Sequence, residues 1–303
     1  MNCVKKIILL IGGKGFVGTH IHAMLCDTHE VIQSDRECDV RHQESLNQLI
    51  RCTKPHWVIH LAAVTTVRDS FKEPDATHDI NFLGTKNLLL ALKQNNFSGR
   101  LLYVCSSEIY GIVDEADMPV TEAQALSPIS PYAVTKIAAE NLCCQWSQSE
   151  LFHVCVARPF NHFGPGQSDR FVVSEFARQI CEIKLGRGDG ILRVGDIDAT
   201  RDFTDVRDVV RAYQLILERG KNGECYNVCS GIEVTVRHLM ERLAMLAGIT
   251  IRVQKDPARL RQSEQRRMRG SYAKLAQDTG WKPEIPLDQS LRDILTEWEA
   301  KLS

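Results

Sequence analysis

A run of large apolar residues that stops abruptly in a glycine cluster constrains this chain most. Residues 4–11 (VKKIILLI) close on five consecutive apolar side chains. Successive side chains of a strand point to opposite faces, so such a run is buried on both, as in a parallel sheet. Gly12-Gly13-Lys14-Gly15-Phe16-Val17-Gly18 follows at once, and a helical pattern begins near Thr19. The spacing is Gly-x-x-Gly-x-x-Gly between a strand and a helix, the context that separates a phosphate loop from an ordinary turn. Glycine removes the Cβ where the turn is tight and where backbone must approach a pyrophosphate. That charge then rests on the free N–H groups and the positive end of the helix dipole. Gly12, Gly15, Phe16, Val17 and Gly18 are the expected cofactor contacts.

Short apolar runs recur at 30–33, 57–60, 101–105 and 152–157, with helical patterns over 43–52, 78–95 and 131–148. Regular alternation of strand and helix predicts an α/β fold, a doubly wound parallel (Rossmann) sheet that binds ligands at the carboxyl ends of its strands. Beyond Arg158-Pro159 the regularity breaks at 161–167, and 186–190 is a second glycine cluster. A smaller C-terminal α/β lobe is expected there. The helical stretch 206–219 and the apolar run 226–228 return toward the first sheet, so the lobes interweave. The expected division is 1–160 with 200–231 for the dinucleotide-binding domain, and 161–199 with 232–303 for the second lobe.

Lysine and arginine number 37 against 38 acids, a net charge of −1, which gives no electrostatic case for nucleic acid or an anionic membrane. An anionic ligand must be held by local groups. Residues 1–12 begin like a signal peptide, but their apolar run is too short and ends in the glycine loop. No stretch approaches the ~20 apolar residues of a membrane span. A soluble, cytoplasmic protein is expected. The 11 cysteines contain no C-x-x-C pair, and Cys143-Cys144 are adjacent inside a helical pattern, so neither a disulfide framework nor a metal site is suggested.

Asp35 lies 20 residues after Gly15, where a carboxylate would bond the ribose hydroxyls of NAD. Its neighbour Arg36 suits the 2′-phosphate of NADP instead. The balance favours NADP(H), with NAD(H) left open. Tyr132 and Lys136 are four apart on a helix opened by Ser130-Pro131, so both leave one face. Cys105-Ser106-Ser107-Glu108 ends the fourth expected strand, on the sheet edge that carries the glycine loop. A phenol of ordinary pKa near 10 is a poor base; an adjacent ammonium and an oxidised nicotinamide would have to lower it by ~3 units, about 4 kcal/mol. A serine hydroxyl beside it can hold the reacting oxygen.

These residues, with His60-Leu61-Ala62-Ala63, the stretch from Asn81 to Asn87, Ser106-Ser107-Glu108-Ile109-Tyr110-Gly111 and Arg158-Pro159-Phe160-Asn161, resemble the extended short-chain dehydrogenases/reductases acting on nucleotide sugars. The resemblance implies Ser106, Tyr132 and Lys136 as the catalytic triad. It adds cofactor contacts at Asp39, Val40, Leu61, Ala62, Ala63, Asn81 and Pro159; Asn81 reads equally as a helix cap. It also implies a homodimer through the helices near 81–95 and 131–148.

The second lobe is similar to the GDP-mannose 4,6-dehydratase branch, and especially to its sister reductases of GDP-4-keto-6-deoxy-mannose. The motifs are 161–167, Phe171-Val172, Val194-Gly195-Asp196, the stretch from Arg201 to Asp208 and Gly280-Trp281-Lys282-Pro283. This implies a nucleotide-diphosphate sugar contacted by Ser107, Asn161, Phe171, Val172, Arg201, Arg261 and Glu264. Glu108 matches the glutamate with which the dehydratases eliminate water, yet the reductases keep it too. The connection Asp35-Arg36-Glu37-Cys38-Asp39-Val40 is short, as in 4-keto-6-deoxy-sugar reductases whose cofactor exchanges each turnover. A reductase is therefore expected, with a 4,6-dehydratase, a 4-epimerase or a catalytically silent nucleotide-binding scaffold as alternatives. The basic run 265–269 reads either as a solvated loop or as part of substrate recognition.

Overall fold

The computed structural model describes residues 5–259 and 265–303. In chain order the first part comprises β1 (Ile7–Ile11), α1 (Phe16–Leu25), β2 (Glu30–Ser34), α2 (Gln43–Thr53), β3 (Trp57–His60), α3 (Val67–Lys72), α4 (Pro74–His78), α5 (Gly84–Gln94), β4 (Arg100–Val104), α6 (Pro131–Ser149) and β5 (His153–Pro159). The rest comprises β6 (Asn161–Phe163), α7 (Val172–Lys184), β7 (Ile191–Val194), β8 (Thr200–Asp205), α8 (Val206–Arg219), β9 (Cys225–Val228), β10 (Glu233–Thr235), α9 (Val236–Ala247), β11 (Arg252–Lys255), α10 (Ala273–Thr279) and α11 (Leu287–Leu302).

The main sheet has six parallel strands in the order β2-β1-β3-β4-β5-β9. Its inner strands are largely apolar because both faces are covered. Leu9 and Ile11 join Val58, Leu101 and Val154 under α2, α5 and α6, while Ile8 and Leu10 join Ile59, Leu102 and Cys155 under α1 and α8. The chain reverses its winding direction between β1 and β3. Such a switch point opens a crevice at the carboxyl ends of the strands.

A second core packs α7, α9 and α11 around Phe176, Ile180, Leu192, Leu243 and Leu291. It carries a three-stranded sheet, β10-β8-β6, and the β11-β7 pair. The acids of the Arg201–Asp208 stretch fasten these parts together. Asp202 accepts from Ser230, Gly231 and Gly270; Asp208 accepts the N–H groups of Glu284 and Ile285, each at 2.9 Å.

Three expectations need correction. The pattern over 78–95 is broken by a π-turn at Asp79–Leu83, whose wider winding turns Asn81 inward. Residues 161–163 are not irregular but form β6, paired with β8. Leu275 and Trp281, expected in the second lobe, pack in the core shared by α1 and α8, because Trp281 has its indole N–H on the Asp208 carbonyl at 3.0 Å.

Candidate active site

The glycine loop hugs the switch point. Gly12 has φ +81°, and a Cβ there would stand 2.6 Å from the Ala62 nitrogen; at Gly18 it would meet the Gly13 oxygen at 2.2 Å. Both need glycine for packing. Gly15 is different: only the Gly12 oxygen lies near its Cβ direction, at 3.5 Å. Gly15 is also the N-cap of α1, which has no side-chain cap and no acid in its first turn. By contrast, Ser130, Thr66, Asp205 and Thr235 each cap their helices with a side chain. The free N–H groups of α1 thus face open space lined by backbone, a fit for a pyrophosphate. Gly13, which the Gly-x-x-Gly-x-x-Gly spacing passes over, is needed too: its Cβ would lie 2.8 Å from that of Leu10. The Gly-Gly doublet was the available signal.

Asp35 follows β2 and accepts the backbone N–H groups of Lys14 at 3.1 Å and Arg36 at 2.9 Å. It fixes the loop while keeping lone pairs for a ribose. Arg36 is exposed beside it. Asp39 closes on Arg41, whose guanidinium holds its carboxyl down to about 2. Val40 is buried against Gly84. Leu61 and Ala62 both donate to the Ile11 carbonyl at the carboxyl end of β3, with Ala63 next in the chain. Phe16 stacks on His162, 6.2 Å between centroids, and Val17 packs on the α1 side of the sheet. Asn81 caps nothing: its side chain holds the Val64 N–H at 2.8 Å and donates to Thr135 at 3.0 Å, joining the β3 exit to α6.

Ser130 caps α6 by accepting from Ala133 at 3.1 Å, and Pro131 pre-sets its first turn. Tyr132 and Lys136 are 7% and 4% exposed. Ser106, just past β4, caps the short 3-10 turn Ser107–Tyr110 by accepting from Glu108 at 3.2 Å. Lys136 donates to the Val104 carbonyl at 2.8 Å, with its Nζ 5.1 Å from the Tyr103 ring centroid. Burial pushes the Tyr132 phenol well up, while contact with the Ser106 hydroxyl pulls the other way. Burial also pushes the Lys136 ammonium down, to about 8. Desolvation thus favours the neutral phenol. A protonated phenol is what a proton donor requires.

Pro159 closes β5 against Val228, and Asn161 opens β6, exposed and in register with Phe203 of β8. Arg201 sits two residues earlier on β8 and donates to the Thr200 carbonyl at 2.7 Å. Phe171 and Val172 begin α7, and Ser107 and Glu108 share the turn after β4. Arg261 and Glu264 lie outside the described residues. Within the basic run, Arg266 pairs with Asp196 at 2.7 Å, and Arg267 with Glu115 at 2.6 Å and Glu233 at 2.8 Å. These two are fastened to the fold.

Residues 35–294 match the model of the GDP-mannose 4,6 dehydratase family. The chain belongs to that family. It is 48% identical to GDP-6-deoxy-D-mannose reductase of Pseudomonas aeruginosa, over 97% of this chain and 98% of that protein. With GDP-mannose 4,6-dehydratase of Yersinia enterocolitica the identity is 28%, over 85% of this chain and 76% of the other. The structure of RMD from Pseudomonas aeruginosa complexed with NADPH superposes with a TM-score of 0.91 at 46% identity, covering 98% of this chain and 100% of that one. A UDP-glucose 4-epimerase from Thermotoga maritima, solved with UDP-glucose, gives 0.90 at 25% identity over 98% and 100% of the two chains. Family members are thus NAD(P)-dependent nucleotide-sugar enzymes of the extended short-chain dehydrogenase/reductase type, and this chain shares their fold.

Proposed function

We propose that the protein reduces the C4 ketone of a 4-keto-6-deoxy nucleotide sugar of the GDP-mannose type, using NADPH. The observation that carries this reading is the near full-length likeness to GDP-6-deoxy-D-mannose reductase, 48% over 97% of the chain. Buried Tyr132 and Lys136 beside Ser106 supply the chemistry. The α1 N-terminus and Gly15 would hold the pyrophosphate, Asp35 and Arg36 the adenosine ribose and its 2′-phosphate, and Lys136 the nicotinamide ribose. When bound, the nicotinamide supplies hydride to the ketone carbon. Tyr132 donates the proton to the oxygen, and Ser106 donates a hydrogen bond to it as negative charge develops. Lys136 stabilises the tyrosinate left behind until solvent returns a proton. Asn161, Arg201, Phe171, Val172 and Ser107 would shape the sugar-diphosphate side, with Arg201 offering its guanidinium to phosphate.

The other reading is a 4,6-dehydratase, which Glu108 fits as well as it fits a reductase. A single assay separates them. A reductase oxidises added NADPH one-for-one with the keto-sugar nucleotide and leaves GDP-mannose untouched. Conversion of GDP-mannose to a 4-keto product without net cofactor consumption overturns the reductase.

Among the described residues no helix is long and apolar enough to cross a membrane. A homodimer through α5 and α6 fits the exposed Ile129 and Val134, 41% and 53% accessible. Light scattering should give twice the 34.2 kDa chain mass, and Val134→Asp should halve it. A monomeric parent protein at micromolar concentration rejects the dimer.

A further inference from the structure

Tyr132, Lys136 and Glu140 succeed one another at four-residue intervals along α6, so they form one column on the face turned to the sheet. Glu140 is 2% exposed and Arg158, on β5, is 6% exposed. The Arg158 guanidinium grips Glu140 through two nitrogens, with Nε to Oε2 at 3.1 Å. Its Nη1 reaches the other way, to the Tyr110 hydroxyl at 2.9 Å and the Glu122 carbonyl at 3.1 Å. Tyr110 ends the 3-10 turn that Ser106 caps, and its hydroxyl donates to Asn227 at 2.6 Å. One buried guanidinium therefore joins the turn bearing Ser106 to the helix bearing Tyr132 and Lys136.

From this geometry we propose that Arg158, with Glu140 and Tyr110, is a positioning hub that sets the distance between the Ser106 and Tyr132 hydroxyls. The proposal rests on the reductase reading for the roles of those two groups. Apolar packing of α6 is non-directional. The bonds from Lys136 to the Val104 carbonyl and from Asn81 to Thr135 hold the first turns of the helix, and Glu140, one turn beyond Lys136, is the point at which the turn bearing Ser106 is tied to its rotation about the axis. A tyrosine hydroxyl stands roughly 8–9 Å from its helix axis, so a rotation of about 10° would move it by roughly 1.5 Å. A misplacement of that size costs on the order of 100-fold in rate. A merely structural buried pair would affect stability and the active fraction but not the cooperation between these two hydroxyls.

The test is a double-mutant cycle on the full-length protein. Tyr110→Phe removes the hydroxyl and keeps the ring; Glu140→Gln keeps the shape and removes the charge. Each is combined with Ser106→Ala, and folding is checked by circular dichroism and melting temperature. In the parent background each variant should lower kcat by about 10- to 100-fold, with KM for the sugar nucleotide within about threefold and cofactor binding retained. In the Ser106→Ala background Tyr110→Phe should lower kcat by less than about threefold, because a missing hydroxyl cannot be misplaced. Folded variants with kcat within twofold of parent, or equal losses of kcat in both backgrounds, overturn the hub. Full turnover by Ser106→Ala alone would instead strike the reductase mechanism.

Discussion

Lys136 stands one helical turn beyond Tyr132, and its Nζ lies 5.9 Å from the centroid of the tyrosine ring while it donates to the Val104 carbonyl at 2.8 Å. The ammonium is thus hydrogen-bonded to the strand rather than to the phenol. Tyr132 must carry the proton itself. Tyr132→Phe is expected to lower kcat by about 10²–10⁴, the usual size of a general-acid contribution, with the NADPH dissociation constant within about threefold of parent. Steady-state NADPH oxidation and a fluorescence titration check both numbers; parental turnover would remove Tyr132 from the chemistry.

The Lys136 value near 8 sets a pH window. The reductive rate should hold level through neutrality and decline on the alkaline side as Lys136 loses its charge. Lys136→Met should run at a much lower rate without that decline. For stability the sign is as follows. The folded-state value lies below the ordinary 10.5, so the folded protein binds fewer protons than the unfolded chain between about 8 and 10.5. Burying the ammonium therefore costs most below about 8, on the order of 3 kcal/mol, and that cost vanishes as pH rises to 10.5. The stability difference between Lys136→Met and parent, followed by chemical denaturation from pH 7 to 10, should shrink over this interval. A difference independent of pH would contradict the assignment.

Arg36 is exposed beside Asp35, whose two oxygens already hold the backbone N–H groups of Lys14 and Arg36. With Asp35 turned to the loop and the ribose, the exposed guanidinium is placed to meet a 2′-phosphate. Arg36→Ala should raise KM for NADPH by about 10- to 100-fold while changing KM for NADH by less than about threefold, consistent with one lost charge-assisted contact. Equal changes for both cofactors would leave Arg36 without a selective role.

Trp281 is fully buried between α8 and α10, far along the chain from any residue assigned to chemistry. Trp281→Ala should cost about 3–5 kcal/mol of stability through the cavity it opens, with kcat at permissive temperature within about twofold of parent. Urea unfolding measures the first and the NADPH assay the second.

The sheet was legible because β1 and β3–β5 are near-continuous apolar runs, and burial on both faces writes itself directly into such strings. The glycine loop and the Tyr132/Lys136 spacing were legible because backbone approach and helical periodicity restrict residue type at fixed offsets. The desolvation of Tyr132 was not legible. Spacing reports that an ammonium is near, but not how completely Tyr132 and Lys136 are desolvated, and desolvation decides the sign here. The π-turn around Asn81 was hidden as well, since Asp79–Leu83 continue a good helical pattern and only tertiary bonds to Val64 and Thr135 widen it. The roles of Asp202 and Asp208 needed partners from distant segments, which no local pattern records.

The outermost strand of the main sheet, β9, arrives only after the chain has built much of the second unit, and it pairs with β5 through Cys225 to Val228. Trimming the gene at the end of β5 would therefore not yield a minimal nucleotide-binding module. It would bare the hydrogen-bonding rim of β5 and strip α8 from the sheet face it covers, inviting strand addition by a neighbouring molecule. Attempts to graft new sugar preference onto this scaffold should exchange loops and leave the segments intact.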